Sequence, residues 1–156
     1  MRLADVLDED CITVNLQSKD KSEVLSEIVT GFASKLEGVE VSVVVKALLE
    51  RERLGTTGIG HGVAIPHGRI KGLGAIKVFF GRSKKGVEYE SMDRLPVHIF
   101  FLIVAPENSA SAHLKLLASI SHLLKYPEIR LKLIRAADTA EVYRTIIEAE
   151  RKLGSF

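Results

Sequence analysis

Cysteine is nearly absent from this chain. Cys11 is the only one in 156 residues, so no disulfide can form within the chain, and a lone thiol fits a reducing compartment. Long apolar runs are absent too. The longest, "IFFLIVAP" at residues 99–106, falls far short of the ~20 residues that a membrane-spanning helix needs. Charge of one sign is also missing: 22 Lys and Arg against 20 Asp and Glu leave +2. That balance offers no electrostatic case for nucleic acid or an anionic membrane, either of which needs clustered basic charge. The N-terminal "MRLADVLDEDC" carries acids where a signal peptide needs an apolar run. There is no repeat, no low-complexity segment and no linker. With 46% apolar and 27% charged residues, the expectation is one cytoplasmic globular domain over about residues 5–150.

What is present has a clear order. Asp20-x-x-Glu23 is a capping-box pattern, and Val24, Leu25, Ile28, Val29, Phe32, Ala33 and Leu36 follow at helical spacing until Gly38. Ser42 opens a second predicted helix that runs to about Leu54. Residues 63–65 ("VAI"), 75–81 ("AIKVFFG") and 97–104 ("VHIFFLIV") read as strands, apolar on both faces. From Ser109 the pattern is helical. Leu114, Leu117, Ile120, Ser121 and Leu124 mark one helix, Pro127 opens the next, and Asp138-x-x-Glu141 opens a third. Helices that flank a set of strands buried on both faces predict an α/β fold, a three-layer α/β/α sandwich with a central mixed β-sheet.

The stretch "GIGHGVAIPHG" at residues 58–68 departs from this ordinary pattern. Gly58, Gly60 and Gly62 can bring backbone N–H groups close to a ligand. No Gly-Lys-Ser/Thr follows, and the glycines precede a strand rather than follow one, so neither a P-loop nor a dinucleotide fingerprint is present. Pro66 should end the "VAI" strand and leave His67 at its tip, while Gly68 clears bulk beside the imidazole. A ring held that way, with one nitrogen open, suits a base, a metal ligand or a nucleophile, and it equally suits a histidine filling a loop.

Two further residues are out of place. Arg51 continues the apolar stripe of Val44, Ala47 and Leu48, where a cation needs a partner or an anion unless it snorkels to solvent. His113 shares the face of Leu117, Ile120 and Leu124, as either a site residue or a core histidine. His122 falls on the opposite face and should meet solvent. His98, within a strand, reads as structural.

The segment "LERERLGTTGIGHGVAIPHG" resembles the phosphorylation-site signature of the mannitol/fructose-type enzyme IIA domains of the bacterial phosphoenolpyruvate-dependent phosphotransferase system. That signature is an acid or amide, six free positions, apolar–Gly, two free positions, then apolar–Ala–apolar–Pro–His–Gly. Glu52, Ile59, Gly60, Val63, Ala64, Ile65, Pro66, His67 and Gly68 fit it. The likeness continues through "RLPVHIFFLIVAPENSASAHLKLLASISHLL" and spans about residues 5–150, and the wording around the signature is most similar to the family's nitrogen-regulatory branch. The resemblance implies that His67 accepts a phosphoryl group on Nε2 from a histidine-containing phosphocarrier protein. It implies that Arg51 and His113 support the phosphoryl group, with backbone N–H groups around Gly58, Gly60, Gly62 and Gly68. It implies no metal and no cofactor.

As a member of the nitrogen-type branch, the chain would act as a phosphorylation-dependent regulator of targets such as kinases or transporters. The alternative is a sugar-transport component that passes phosphate to an enzyme IIB. The chain shows no attached permease or enzyme IIB segment, which favours the regulator. Monomer or weak homodimer is the expected state. A metal site of His61, His67 and His113 is a rival, although their spacing matches no structural zinc pattern. The family usually has an amide or acid where this chain has His61, which is expected to be a solvent-exposed loop substitution.

Overall fold

A computed structural model describes residues 1–154. Six α-helices and six strands follow one another along them: α1 (Leu3–Val6), β1 (Ile12–Thr13), α2 (Lys21–Gly31), α3 (Val41–Arg53), β2 (Gly58–Gly60), β3 (Val63–Ala64), β4 (His67–Arg69), β5 (Lys77–Val87), β6 (Val97–Ala105), α4 (Ala110–Leu123), α5 (Pro127–Arg135) and α6 (Thr139–Leu153). The predicted caps form where short acidic side chains stand before a helix. Asp20 accepts the Glu23 backbone N–H at 2.9 Å and opens α2, and Asp138 does the same for Glu141 and α6. Pro127 occupies the first turn of α5. Ser42 is not a cap: α3 starts at Val41, with Glu40 before it.

The sheet is mixed, in the order β1-β5-β6-β3-β2, with β4 also paired to β6. β5 and β6 are antiparallel, whereas β1 runs parallel to β5, and β3 and β4 run parallel to β6. Alternation along β5 assigns the layers. Phe79 stacks on Phe32, the residue that ends α2, at a ring separation of 4.9 Å. Arg82, of opposite parity, reaches the other way to carbonyls at the end of α5. Helices therefore cover both faces, as predicted, and β6 is buried from Ile99 to Ala105.

Several local expectations give way. Pro66 lies in a break between β3 and β4, but it does not leave His67 at a strand tip, because pairing with β6 resumes there. Val63 lies opposite Ile99, Ala64 opposite Phe100, His67 opposite Ile103 and Gly68 opposite Val104, so the register is kept across the proline. Pro66 lacks only the donor; its carbonyl still accepts from the Ile103 N–H at 2.9 Å. β5 runs on through Gly81 to Val87. In α4 the buried line is His113, Leu116, Ile120 and Leu123, while Leu114 is 66% exposed. His122 is half-buried against Tyr126 rather than solvated.

Candidate phosphoryl-transfer site

The site forms where β4, the last turn of α3 and the first turn of α4 meet. Residues alternate along β4, and the space a Gly68 side chain would occupy is bordered by Ala47 and Leu48 of α3, at 3.6–3.8 Å from a Cβ placed there. Gly68 thus faces α3, at distances that a methyl group would fill in ordinary contact. His67 projects the other way, and its ring meets that of His113 edge to face, with centroids 5.2 Å apart. Arg51 reaches His67 from the end of α3, its Nε 3.2 Å from His67 Nε2. Arg51 Nη1 donates to the Gly55 carbonyl at 3.0 Å.

These contacts define the His67 tautomer. Nδ1 lies 2.8 Å from the Ile65 carbonyl, which can only accept, so Nδ1 carries the proton. The Arg51 Nε–H can only donate, so Nε2 presents a lone pair. Burial holds the His67 pKa below the usual histidine value; the Ile65 carbonyl raises it and the Arg51 charge lowers it. The ring is neutral, with its free electron pair directed at a cation. His113 is 5% exposed, and its Nε2 is buried with no hydrogen-bond partner among the described residues. Burial, with the neighbouring His67 and Arg69, pushes its pKa down to about 4. Buried polar atoms are rarely left unpaired, so an orphan nitrogen beside a cleft suits a polar ligand there.

The cleft has a volume of about 400 Å³. Arg51, His67, Gly68 and His113 all line it. Gly58, Gly60 and Gly62 do not, which corrects their assignment to a phosphoryl-binding loop. Gly58 and Gly60 form the edge strand β2, which pairs with β3, and Gly62 sits by His98. A Cβ on Gly58 would lie 2.8–3.0 Å from Ser91, so this glycine permits a close backbone approach rather than ligand binding. His61 stands in the turn between β2 and β3 with φ +57°, its backbone N–H on Asp93, exposed and away from the cleft. The three-histidine metal site is therefore not assembled. His98 is tied to the Ser83 carbonyl at 2.9 Å.

The structure adds residues that sequence reasoning passed over. Arg69 lines the cleft two positions beyond His67, where strand alternation returns a side chain to the same face. Leu54 and Leu114, 83% and 66% exposed, also line the cleft as apolar side chains. The spacing that puts Arg69 on the face of His67 is readable in sequence, whereas the exposure of the two leucines is not.

The family model for the phosphoenolpyruvate-dependent sugar phosphotransferase system, EIIA 2, matches residues 5–149. A nitrogen regulatory protein of Bradyrhizobium diazoefficiens is 38% identical over 146 residues, which is 94% of this chain and 95% of that protein. The fructose-specific EIIABC component of Bacillus subtilis is 40% identical over 138 residues, 87% of this chain but 21% of that protein. Among solved structures, the nitrogen regulatory protein IIA-Ntr of Neisseria meningitidis superimposes with a TM-score of 0.87 at 28% identity, covering 92% of this chain and 98% of that one. With a family model matched over nearly its whole length and relatives of this identity, the chain belongs to the EIIA 2 family of the phosphoenolpyruvate-dependent sugar phosphotransferase system.

Proposed function

We propose that the protein is a phosphoryl carrier in which His67 Nε2 accepts a phosphoryl group from a phosphohistidine on a histidine-containing phosphocarrier protein. The observation that carries this is the pairing of a Nδ1 locked to the Ile65 carbonyl with a Nε2 lone pair facing Arg51. In the transfer, Nε2 attacks phosphorus as the donor's N–P bond breaks. Nδ1 keeps its proton, so no base is required. Phosphoryl transfer asks the protein mainly for positioning and charge stabilisation. Arg51 turns from the ring nitrogen to the phosphoryl oxygens, for which its planar fork is suited. His113 donates a hydrogen bond from its otherwise orphaned edge. Arg69 adds positive charge at the rim.

The regulatory role is supported by the nitrogen regulatory relative, which matches along nearly its full length. A dianion placed on His67 rewrites the charge of the surrounding surface and can switch the binding of target proteins such as kinases or transporters. The transport role has its own support in the fructose-specific relative. There the phosphate would pass to an enzyme IIB.

The test mixes protein, phosphocarrier, its kinase and labelled phosphoenolpyruvate. Wild type takes up label and His67→Ala takes none; equal labelling of both refutes the assignment. Arg51→Ala is expected to fold and to accept phosphate about 100-fold more slowly, the range for loss of one charge-stabilising donor. Label that moves on to a sugar-specific enzyme IIB identifies a transport component; label that stays until hydrolysed identifies a regulator.

A further inference from the structure

Directly beside Arg51 lies a carboxylate that no helix-stability argument explains. Glu52 is in the last turn of α3, where the helix dipole disfavours negative charge, and its side chain is only 3% exposed. Its neighbours compensate for both costs. Lys21, the first residue of α2, places Nζ 3.1 Å from Oε1. The Thr57 backbone N–H donates to the same carboxylate at 3.0 Å, and the Thr57 hydroxyl donates to its other oxygen. That hydroxyl is 3.2 Å from the Tyr89 hydroxyl, and the Lys21 ammonium sits 4.8 Å above the Tyr89 ring.

The consequence reaches the site through a short stretch of backbone. The Gly55 N–H donates to the Glu52 carbonyl at 3.1 Å, and Thr57 is held by the Glu52 carboxylate. Both ends of the turn over residues 54–57 are thus tied to Glu52. Between them lies the Gly55 carbonyl, which accepts from Arg51 Nη1 and so orients the guanidinium whose Nε faces His67.

We infer that Glu52 is a positioning residue for phosphoryl transfer: clamped by Lys21 and Thr57, it sets the turn whose Gly55 carbonyl aims Arg51 at His67. This rests on the reading of His67 as phosphoryl acceptor. Glu52 neither touches His67 nor lines the cleft; its charge is felt at the ring through space, while its positioning acts through Arg51.

The test is a double-mutant cycle in the labelled transfer assay. Glu52→Leu keeps the approximate volume of the side chain and removes its charge and both oxygens that hold Thr57, whereas an amide, which the signature admits here, still offers Thr57 an acceptor. It is expected to slow transfer about 10- to 100-fold, the scale of a small misplacement of a catalytic group. In an Arg51→Ala background it should slow transfer no further. Independent, multiplicative losses in the two variants overturn the inference, as does wild-type transfer by Glu52→Leu.

Thr57→Val serves as a second variant that leaves the Glu52 charge in place, and it carries the cycle if Glu52→Leu fails to fold. The second readout is the His67 titration followed by NMR, which needs no phosphate. Arg51 lowers the His67 pKa and Glu52 raises it. A turn loosened by Thr57→Val lets Arg51 drift, so His67 should titrate at higher pH, with no such change in the Arg51→Ala background. An unchanged titration in a folded Thr57→Val variant overturns the inference. If wild type takes up no label at all, the phosphoryl reading fails, while the titration still decides whether Glu52 positions Arg51.

Discussion

Acidification should unfold this protein earlier than its carboxylates alone would, because of His113. In the folded chain its pKa is pushed down to about 4 by burial and by the neighbouring His67 and Arg69. In the unfolded chain it returns to the ordinary ~6.5. Between these values the unfolded state binds a proton that the folded state refuses, so stability rises with pH across the window and falls as pH drops through it. The full displacement, from 6.5 to about 4, corresponds to roughly 3 kcal/mol. Lowering the pH from 7 to 5 already loses about 2 kcal/mol of it. For a domain of this size that is a shift in urea midpoint of about 1 M.

Carboxylates titrate nearby, and His67 is shifted in the same direction, so the quantity to measure is a difference. Urea midpoints of wild type and His113→Gln would be taken at pH 7, 6, 5 and 4.5. The variant should lack about 2 kcal/mol of the acid-induced loss by pH 5. If the two proteins lose stability in parallel across that range, the imidazole is not held neutral by the fold and the reasoning fails.

The fold makes other commitments. Arg82 is 1% exposed and donates to the carbonyls of Val14, Leu133, Ile134 and Ala136, so it ties the segment after β1 to the end of α5. Arg82→Met fills similar volume but strands those carbonyls, and thermal or urea unfolding should show a loss of about 3–5 kcal/mol; a neutral result would mean that water or a backbone shift replaces the guanidinium. The two kinds of glycine in the "GIGHGVAIPHG" stretch should separate. Gly58→Ala drives a methyl into Ser91 and should cost about 1–3 kcal/mol in unfolding, whereas Gly68→Ala meets Ala47 and Leu48 at ordinary contact distance and should change stability by less than about 1 kcal/mol. The reverse order would refute the packing assigned to both.

Much of the architecture is written in local chemistry. Asp20 and Asp138 cap because a short acid before a helix meets a free N–H whatever the rest of the chain does. The apolar run of β6 announces a strand covered on both faces, since no other arrangement hides it. Arg51, His67 and His113 each drew notice alone, as a polar group in an apolar or rigid setting. Periodicity had less to say where elements are short or paired at a distance. Four-residue α1 and two-residue β1 complete too little of any repeat to be seen. The glycines of β2 look like a loop because the partner that makes them a strand, β3, is defined only once the hairpin closes.

The sequence by itself determined which residues could do chemistry: the Pro-His-Gly segment, the arginine on an apolar stripe and the histidine on an apolar helix face. Tertiary structure decided what they do together. Only the pairing of β4 with β6 carries His67 past Pro66 in register. The packing of α3 on Gly68 brings Arg51 within 3.2 Å of the ring, and the placement of α4 leaves His113 buried with a nitrogen to spare. The physical reason is that a side chain's type is local, but its tautomer, burial and partners belong to segments distant in the chain. His67 and His113 are far apart in sequence, and only the fold brings their rings to 5.2 Å, which makes two ordinary imidazoles a candidate site.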